Sequence, residues 1–227
     1  MNKDELINFV AKSGNVAKEE AAKVINEITN SIVASLPFSE KTLYSSKIFE
    51  IFEKTSRYNK DGEIKHKTFE YARRSPGVRG IIIEDKKILL TKEYRYELEG
   101  WDYRLPGGKV YDKLDDYHKA LKEDTDLSDV QAAVKRELLE EVGIEISNPY
   151  LYYISKAGAT VIWDLYYFII DGFEFAKNGQ NLEDGETISY QWFTHAEVMD
   201  LIKKDLINED RSVGVLAKYI LQEDKLY

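Results

Sequence analysis

Residues 136–144 read Arg-Glu-Leu-Leu-Glu-Glu-Val-Gly-Ile. Wound into a helix at about 100° per residue, Glu137, Glu140 and Glu141 fall at roughly 0°, 300° and 40°, within one narrow arc, while Leu138, Leu139 and Val142 fall at roughly 100–200°. Such a segment needs an apolar layer, most simply a sheet, under one side and a cleft or solvent over the other. Crowded carboxylates repel one another unless something neutralises them. Mg²⁺ takes hard oxygen ligands and keeps several waters, so two or three carboxylates plus ligand phosphates complete its shell. The bland alternative is a solvated acidic face. Arg136 just before the cluster and Gly143 as a helix stop argue against it. Ser128-Asp129-Val130-Gln131 fits a capping box, so the predicted helix runs over 129–142. Upstream, Pro106-Gly107-Gly108-Lys109 forms a turn whose backbone can approach a metal or phosphate closely, since no β-carbon intervenes.

The 227 residues suffice for one large domain or a domain with an appendage. No apolar run approaches the roughly 20 residues that span a membrane, and the first residues lack a signal-peptide core. The chain has no cysteine, which excludes a disulfide framework, a thiolate metal site and a cysteine nucleophile. A cytoplasmic protein with no membrane role is the expectation. The net charge of −9 argues against a nucleic-acid polymer as the main ligand, though not against a nucleotide.

Apolar spacing predicts helices over 3–13 and 17–34, broken at Ser13-Gly14-Asn15. Their stripes are Leu6, Ile7, Phe9 and Val10, then Ala21, Ala22, Val24, Ile25, Ile28, Ile32 and Val33. Leu36-Pro37-Phe38-Ser39 ends this hairpin, and strands are expected at 46–55 and 63–73 around Asn59-Lys60-Asp61-Gly62. A hairpin at 78–83 and 87–92 turns at Glu84-Asp85-Lys86. Residues 161–170, apolar almost throughout, read as one strand buried on both faces. A strand at 187–193 and helices at 195–204 and 211–222 follow. The mixture predicts a central mixed sheet with helices on both sides. The expected division is a helical hairpin at 1–45, for packing or dimerisation, and a catalytic domain at 46–227, with strands at 46–75 and the core at 76–227.

Arg136-Glu137-Leu138-Leu139-Glu140-Glu141-Val142-Gly143-Ile144 resembles the signature helix of the Nudix hydrolases. The resemblance implies an α/β/α sandwich and a pyrophosphatase that cleaves nucleoside diphosphates linked to another group, with Mg²⁺ or Mn²⁺. It assigns metal ligation to Glu137 and Glu141, assisted by Glu140 and the Gly107 carbonyl, and gives Arg136 the task of orienting the glutamates. Glu186 and Glu183 are candidates for the general base, with an ordinary acidic loop as the alternative. Two departures stand out: the loop from Gly108 to Ser128 is longer than the family's spacing, and Ser128 stands where a glutamate is usual. The inserted stretch reads as a surface excursion with a short helix, or as a lid.

Leu90-Thr91-Lys92-Glu93-Tyr94-Arg95-Tyr96, Trp101 and Leu105-Pro106 resemble the ADP-ribose pyrophosphatase branch, whose members commonly form homodimers. By that resemblance Arg95 binds phosphate or braces the site, and Tyr94, Tyr96, Trp101 or Tyr103 stacks on a base. Arg104 stands where the branch has glutamate, which suggests a more anionic ligand, and Gly107 where it has alanine. The implied reaction is ADP-ribose to AMP and ribose 5-phosphate. Alternatives are a Nudix hydrolase of nucleoside triphosphates or dinucleoside polyphosphates, and a non-catalytic ligand sensor. Residues 1–34 are weakly similar to the opening of the bacterial histone-like protein HU, but acids slightly outnumber bases over 1–45, so a packing hairpin is preferred to a DNA-binding one.

Overall fold

The computed structural model describes residues 2–35, 39–60, 63–122 and 127–223. They divide into two compact units: Met1–Ser45 with Glu50–Ala72, and Ser46–Phe49 with Arg73–Tyr227.

In the first unit α1 (Lys3–Gly14) and α2 (Lys18–Ser35) form the expected hairpin. Asn2 caps α1 reciprocally with Glu5, and Asn15 closes it in the left-handed conformation. Ile7, Ala21 and Ile25 are buried between the helices, while Phe9, Val24 and Ile28 are exposed. The side chains of Ile32 and Val33 lie outside the described residues. Three strands follow in the order β1 (Ser39–Ser45), β2 (Phe49–Lys60) and β3 (Glu63–Arg74). β1 was not foreseen, because its charged, exposed sequence carries no apolar alternation. β2 begins at Phe49, not at 46.

The second unit holds β4 (Gly77–Glu84), β5 (Lys87–Arg95), β6 (Gly100–Arg104), α3 (Leu114–Lys122), α4 (Leu127–Glu141), β7 (Ile144–Ile146), β8 (Tyr150–Ser155), β9 (Val161–Ile162), β10 (Leu165–Ile170), β11 (Phe173–Phe175), β12 (Ile188–Thr194), α5 (His195–Lys203) and α6 (Asp210–Glu223). Its main sheet runs β12-β5-β4-β10-β8, with β6 paired to β5. The central β4 and β10 are parallel and β5, β6, β8 and β12 join antiparallel, so the sheet is mixed. Asp85 and Lys86 turn the β4–β5 hairpin with positive φ of 48° and 61°, the two-residue geometry that matches strand twist.

Alternation along the strands explains the layers. Val78 and Ile82 of β4, Leu89 of β5 and Phe168 and Ile170 of β10 face α4, which buries Val130, Ala133, Val134 and Leu138 against them. Ile81, Ile88, Leu90, Leu165 and Tyr167 face the opposite side and are covered by Val198 of α5 and Val215, Leu216 and Ile220 of α6. Each fully buried side chain of this kind contributes about 1.5–3 kcal/mol. This is the α/β/α sandwich the signature implies, and it pins α4 with its acidic side away from the sheet.

Several expectations need correction. The stretch 161–170 is not one strand: Trp163 and Asp164 interrupt it, with the Trp163 carbonyl accepting from Arg211 and the Asp164 carbonyl from the Gly77 amide. The signature helix spans Leu127–Glu141, so Ser128 lies inside its first turn and is not its N-cap. Leu139, expected on the sheet, is 39% exposed; of the three apolar residues at this end only Leu138 and Val142 are buried. Gly143 ends the helix at φ +72° as expected. Within the insertion Leu114–Lys122 fold into α3, which buries Leu114 and Tyr117, and residues 123–126 lie outside the described residues.

Candidate active site

The carboxyl end of α4, the Gly-Gly turn and the β5–β6 hairpin enclose a cleft of ≈ 420 Å³. Glu137, Glu140 and Glu141 line it together with Gly107, Gly108, Arg95, Arg104, Arg136, Glu183 and Glu186. Tyr94 and Trp101 do not line it. Their side of the hairpin follows from strand period: Glu93 and Arg95 share one face of β5 and Arg104 meets it from β6, while Tyr94 pairs with Trp101 across the other face. The two rings pack edge to face at 5.6 Å, Lys92 lies over Trp101 at 5.1 Å, and Trp101 is 49% exposed.

The acidic helix is locked to the turn it faces. The Gly107 amide donates to Glu141 Oε2 at 2.8 Å. Arg136 Nη2 donates to Glu137 Oε1 at 2.9 Å and to the Lys109 carbonyl at 2.8 Å, so it ties helix and loop together while orienting Glu137. Gly108 leaves room for Glu137, whose Oε2 would lie 2.2 Å from a β-carbon there. The loop carrying Glu183 and Glu186 is tied to the same helix by the Asn181 amide on the Glu140 carbonyl at 2.9 Å. The Glu186 carboxylate accepts from the Glu183 amide at 3.0 Å.

Beneath the turn lies a pair that sequence reading missed. Arg79 is 5% exposed and grips Glu209 through two bonds of 2.9 Å. Its Nη1 also donates at 2.8 Å to the carbonyls of Val78 and Gly107. The Gly107 carbonyl, expected to assist a metal, therefore already holds a guanidinium on one lone pair. Burial would raise the Glu209 carboxyl, but Arg79 outweighs it and holds the group down to about 2. The extra arginine flagged in the sequence, Arg104, is within 3.3 Å of Glu93 and 3.7 Å of Asp102, so its charge is shared with two acids. Arg95 likewise pairs with Glu93 at 2.8 Å and with Glu97.

The three helix carboxylates are under electrostatic stress. Burial pushes Glu141 up to about 8, with the Glu137 charge adding to it against the Gly107 amide and Arg79. Burial also raises Glu137, against Arg136, and raises Glu140, with Glu183 and Glu186 adding to it. A divalent cation relieves this stress, so the donor set fits one. Among the described residues, no three acids or imidazoles converge tightly enough to enclose an ion alone.

The family profile for the NUDIX domain matches residues 73–213, more than half of the chain. The chain belongs to the Nudix family. It is accordingly an enzyme of the pyrophosphatase type. No curated protein matches it. Among solved structures, one described as an ADP compounds hydrolase superposes with a TM-score of 0.59 at 20% identity, covering 82% of this chain and 92% of that one. At that identity the likeness establishes the Nudix fold alone. No helix among the described residues is long and apolar enough to cross a membrane.

The Nudix turn gives a sharp test. Gly107 has φ +139°, and a β-carbon there would lie 2.2 Å from the Val78 carbonyl. Gly107→Ala, the residue usual in the ADP-ribose branch, is therefore expected to cost about 1–3 kcal/mol in stability, measured by urea unfolding, and to reduce turnover as Glu141 loses its amide. An unchanged midpoint would contradict the geometry.

Proposed function

We propose that this Nudix enzyme is a metal-dependent pyrophosphohydrolase of a nucleoside diphosphate linked to a second group, with ADP-ribose, giving AMP and ribose 5-phosphate, as the first substrate to test. The observation that carries this reading is the placement of Glu137, Glu140 and Glu141 in one cleft with Arg95, Arg104 and the Glu183–Glu186 loop. Acidic side chains outnumber basic ones along the walls, so a polyanion needs a cation to enter. Glu137 and Glu141 would hold Mg²⁺ or Mn²⁺, with Glu140 beside them. Such a cation supplies charge neutralisation at the diphosphate and acidity to an attacking water.

The remaining chemistry is the chain's own. Arg136 fixes Glu137, and the Gly107 amide fixes Glu141, so neither carboxylate has to reorganise during reaction. Arg95 and Arg104 keep unspent guanidinium donors that suit phosphate oxygens in pairs. Glu186 or Glu183 takes the proton of the water as its oxygen bonds to phosphorus and the bond to the bridging oxygen breaks. The departing phosphate leaves as an anion that the arginines stabilise. The expected homodimer has a candidate seat at the tip of the β5–β6 hairpin, where Tyr96, Leu98 and Trp101 expose apolar surface.

A substrate panel of ADP-ribose, nucleoside triphosphates and dinucleoside polyphosphates, with Mg²⁺, tests the reading. Release of a nucleoside monophosphate and a phosphorylated partner supports it. Effector binding without turnover of any panel member would favour the sensor.

A further inference from the structure

A helix leaves its last four carbonyls without partners inside its own turns, and they must be satisfied from beyond its end. At the carboxyl end of α4 the Leu138 and Leu139 carbonyls accept from the Val142 and Gly143 amides. The next two are satisfied by a distant segment. The Glu140 carbonyl accepts from the Asn181 amide at 2.9 Å, and the Glu141 carbonyl from Gln180 Nε2 at 2.5 Å. The Gly143 carbonyl, just past the helix, accepts from the Ala176 amide at 2.8 Å. Gln180 Nε2 carries two donor hydrogens, and it also donates to the carbonyl of Ile188, the first residue of β12, at 3.3 Å. One side-chain amide thus joins the signature helix, the root of the loop that follows it and the strand into which that loop runs.

Packing brings the same segment onto the helix end. Gly143 is buried, and a β-carbon there would lie 2.5 Å from the Gly179 carbonyl carbon and 2.8 Å from the Gln180 nitrogen. The 179–180 peptide therefore rests directly on the residue that closes α4. Beyond this anchor the loop carries Glu183 and Glu186, which line the cleft. The Glu183 amide donates to the Glu186 carboxylate at 3.0 Å and the Glu186 amide to the Glu183 carbonyl at 3.1 Å, so the two acids belong to one small turn. Apart from Leu182, residues 181–187 are exposed, so their position rests on the ends of the loop more than on packing along it.

We propose that Gln180 is a positioning residue for the reaction. By capping the signature helix with the root of the loop, it holds Glu183 and Glu186 at a set distance from Glu137, Glu140 and Glu141. This rests on the pyrophosphohydrolase reading and deepens it. Gln180 does not line the cleft; it acts through the loop carboxylates, and the loop cannot shift without uncapping α4.

Gln180→Met keeps the length of the side chain and removes its N–H donors. In the full chain, hydrogen exchange read by mass spectrometry should become faster over 181–187 and stay unchanged over the sheet. With ADP-ribose and Mg²⁺, kcat should fall about two- to tenfold, the share of one hydrogen bond, with KM within about twofold of the parent. In a Glu183→Gln/Glu186→Gln background the same substitution should cost nothing further, because the loop then has no carboxylate to place. Unchanged exchange, parental kcat in Glu183→Gln/Glu186→Gln, or losses that simply add would overturn the assignment. Turnover in the parent with unchanged exchange in Gln180→Met removes the positioning role alone. Faster exchange in a chain whose parent turns over no nucleotide leaves the clamp but overturns the hydrolase reading, and the role in the reaction with it.

Discussion

Glu141→Gln is expected to lower turnover by about 10²–10³-fold while leaving the fold intact. The side chain keeps its shape, so the Gly107 amide still has an oxygen to bond. What is lost is one negative charge at the proposed metal site, and several kcal/mol of cation stabilisation translate into two or three decades of rate. The same substitution should not destabilise the protein. Burial pushes the Glu141 carboxyl up to about 8, so at neutral pH without a cation its charged form opposes folding, and a neutral amide removes that opposition. The expected pattern is a melting temperature equal to or above that of the parent, and a smaller rise on adding Mg²⁺. A variant with parental kcat and a native melting temperature would remove Glu141 from the metal site.

The second large effect concerns stability. Glu209→Ala should cost about 3–5 kcal/mol, because it leaves the Arg79 guanidinium, 5% exposed, with no counter-charge. For a chain of this size that is a fall of roughly 6–20 °C in melting temperature. The pair also carries a pH signature. Glu209 is held at about 2 against an ordinary 4.5, so its folded value is depressed. Its contribution is fully present above about 4.5 and is lost as pH falls through 4.5 toward 2. The gap between parent and variant, read by calorimetry at a series of pH values, should shrink over that acid window and stay constant from pH 5 to 7. Because Arg79 also holds the Gly107 carbonyl at 2.8 Å, turnover should fall too. A variant as stable as the parent at pH 7 would contradict the pairing.

The parts of this site that were legible in the sequence are those built by local periodicity. Glu137, Glu140 and Glu141 fall together because one helix carries them, and the Gly-Gly turn was legible as a motif although its contact with Glu141 spans 34 positions. Helices on both sides of a mixed sheet were legible in the apolar runs at 78–83 and 87–92 and the helical spacing of α4, α5 and α6, and the resemblance implied the α/β/α sandwich. What stayed hidden was built from distant pieces. Arg79 meets Glu209 across 130 positions, and a lone arginine in an apolar strand gives no signal of where its partner is. Trp163 was absorbed into an apolar run, although Asp164 beside it was the one hint of a break. Tyr94 and Trp101 were chosen by type, whereas the pleat of the β5–β6 hairpin decides which face they take. Strand parity relative to Arg95 would have placed Tyr94 correctly from the sequence alone.

On the proposed reading the acidic helix of this Nudix enzyme drives hydrolysis at a pyrophosphate. The most direct test is product analysis of ADP-ribose in ¹⁸O-labelled water, with Mg²⁺, for the parent and Glu141→Gln. The parent should give AMP and ribose 5-phosphate in equal amounts, with one label on a phosphate, no product once the cation is chelated, and almost none from the variant. Equal product from parent and variant, or label in the ribose rather than on phosphorus, would contradict the account.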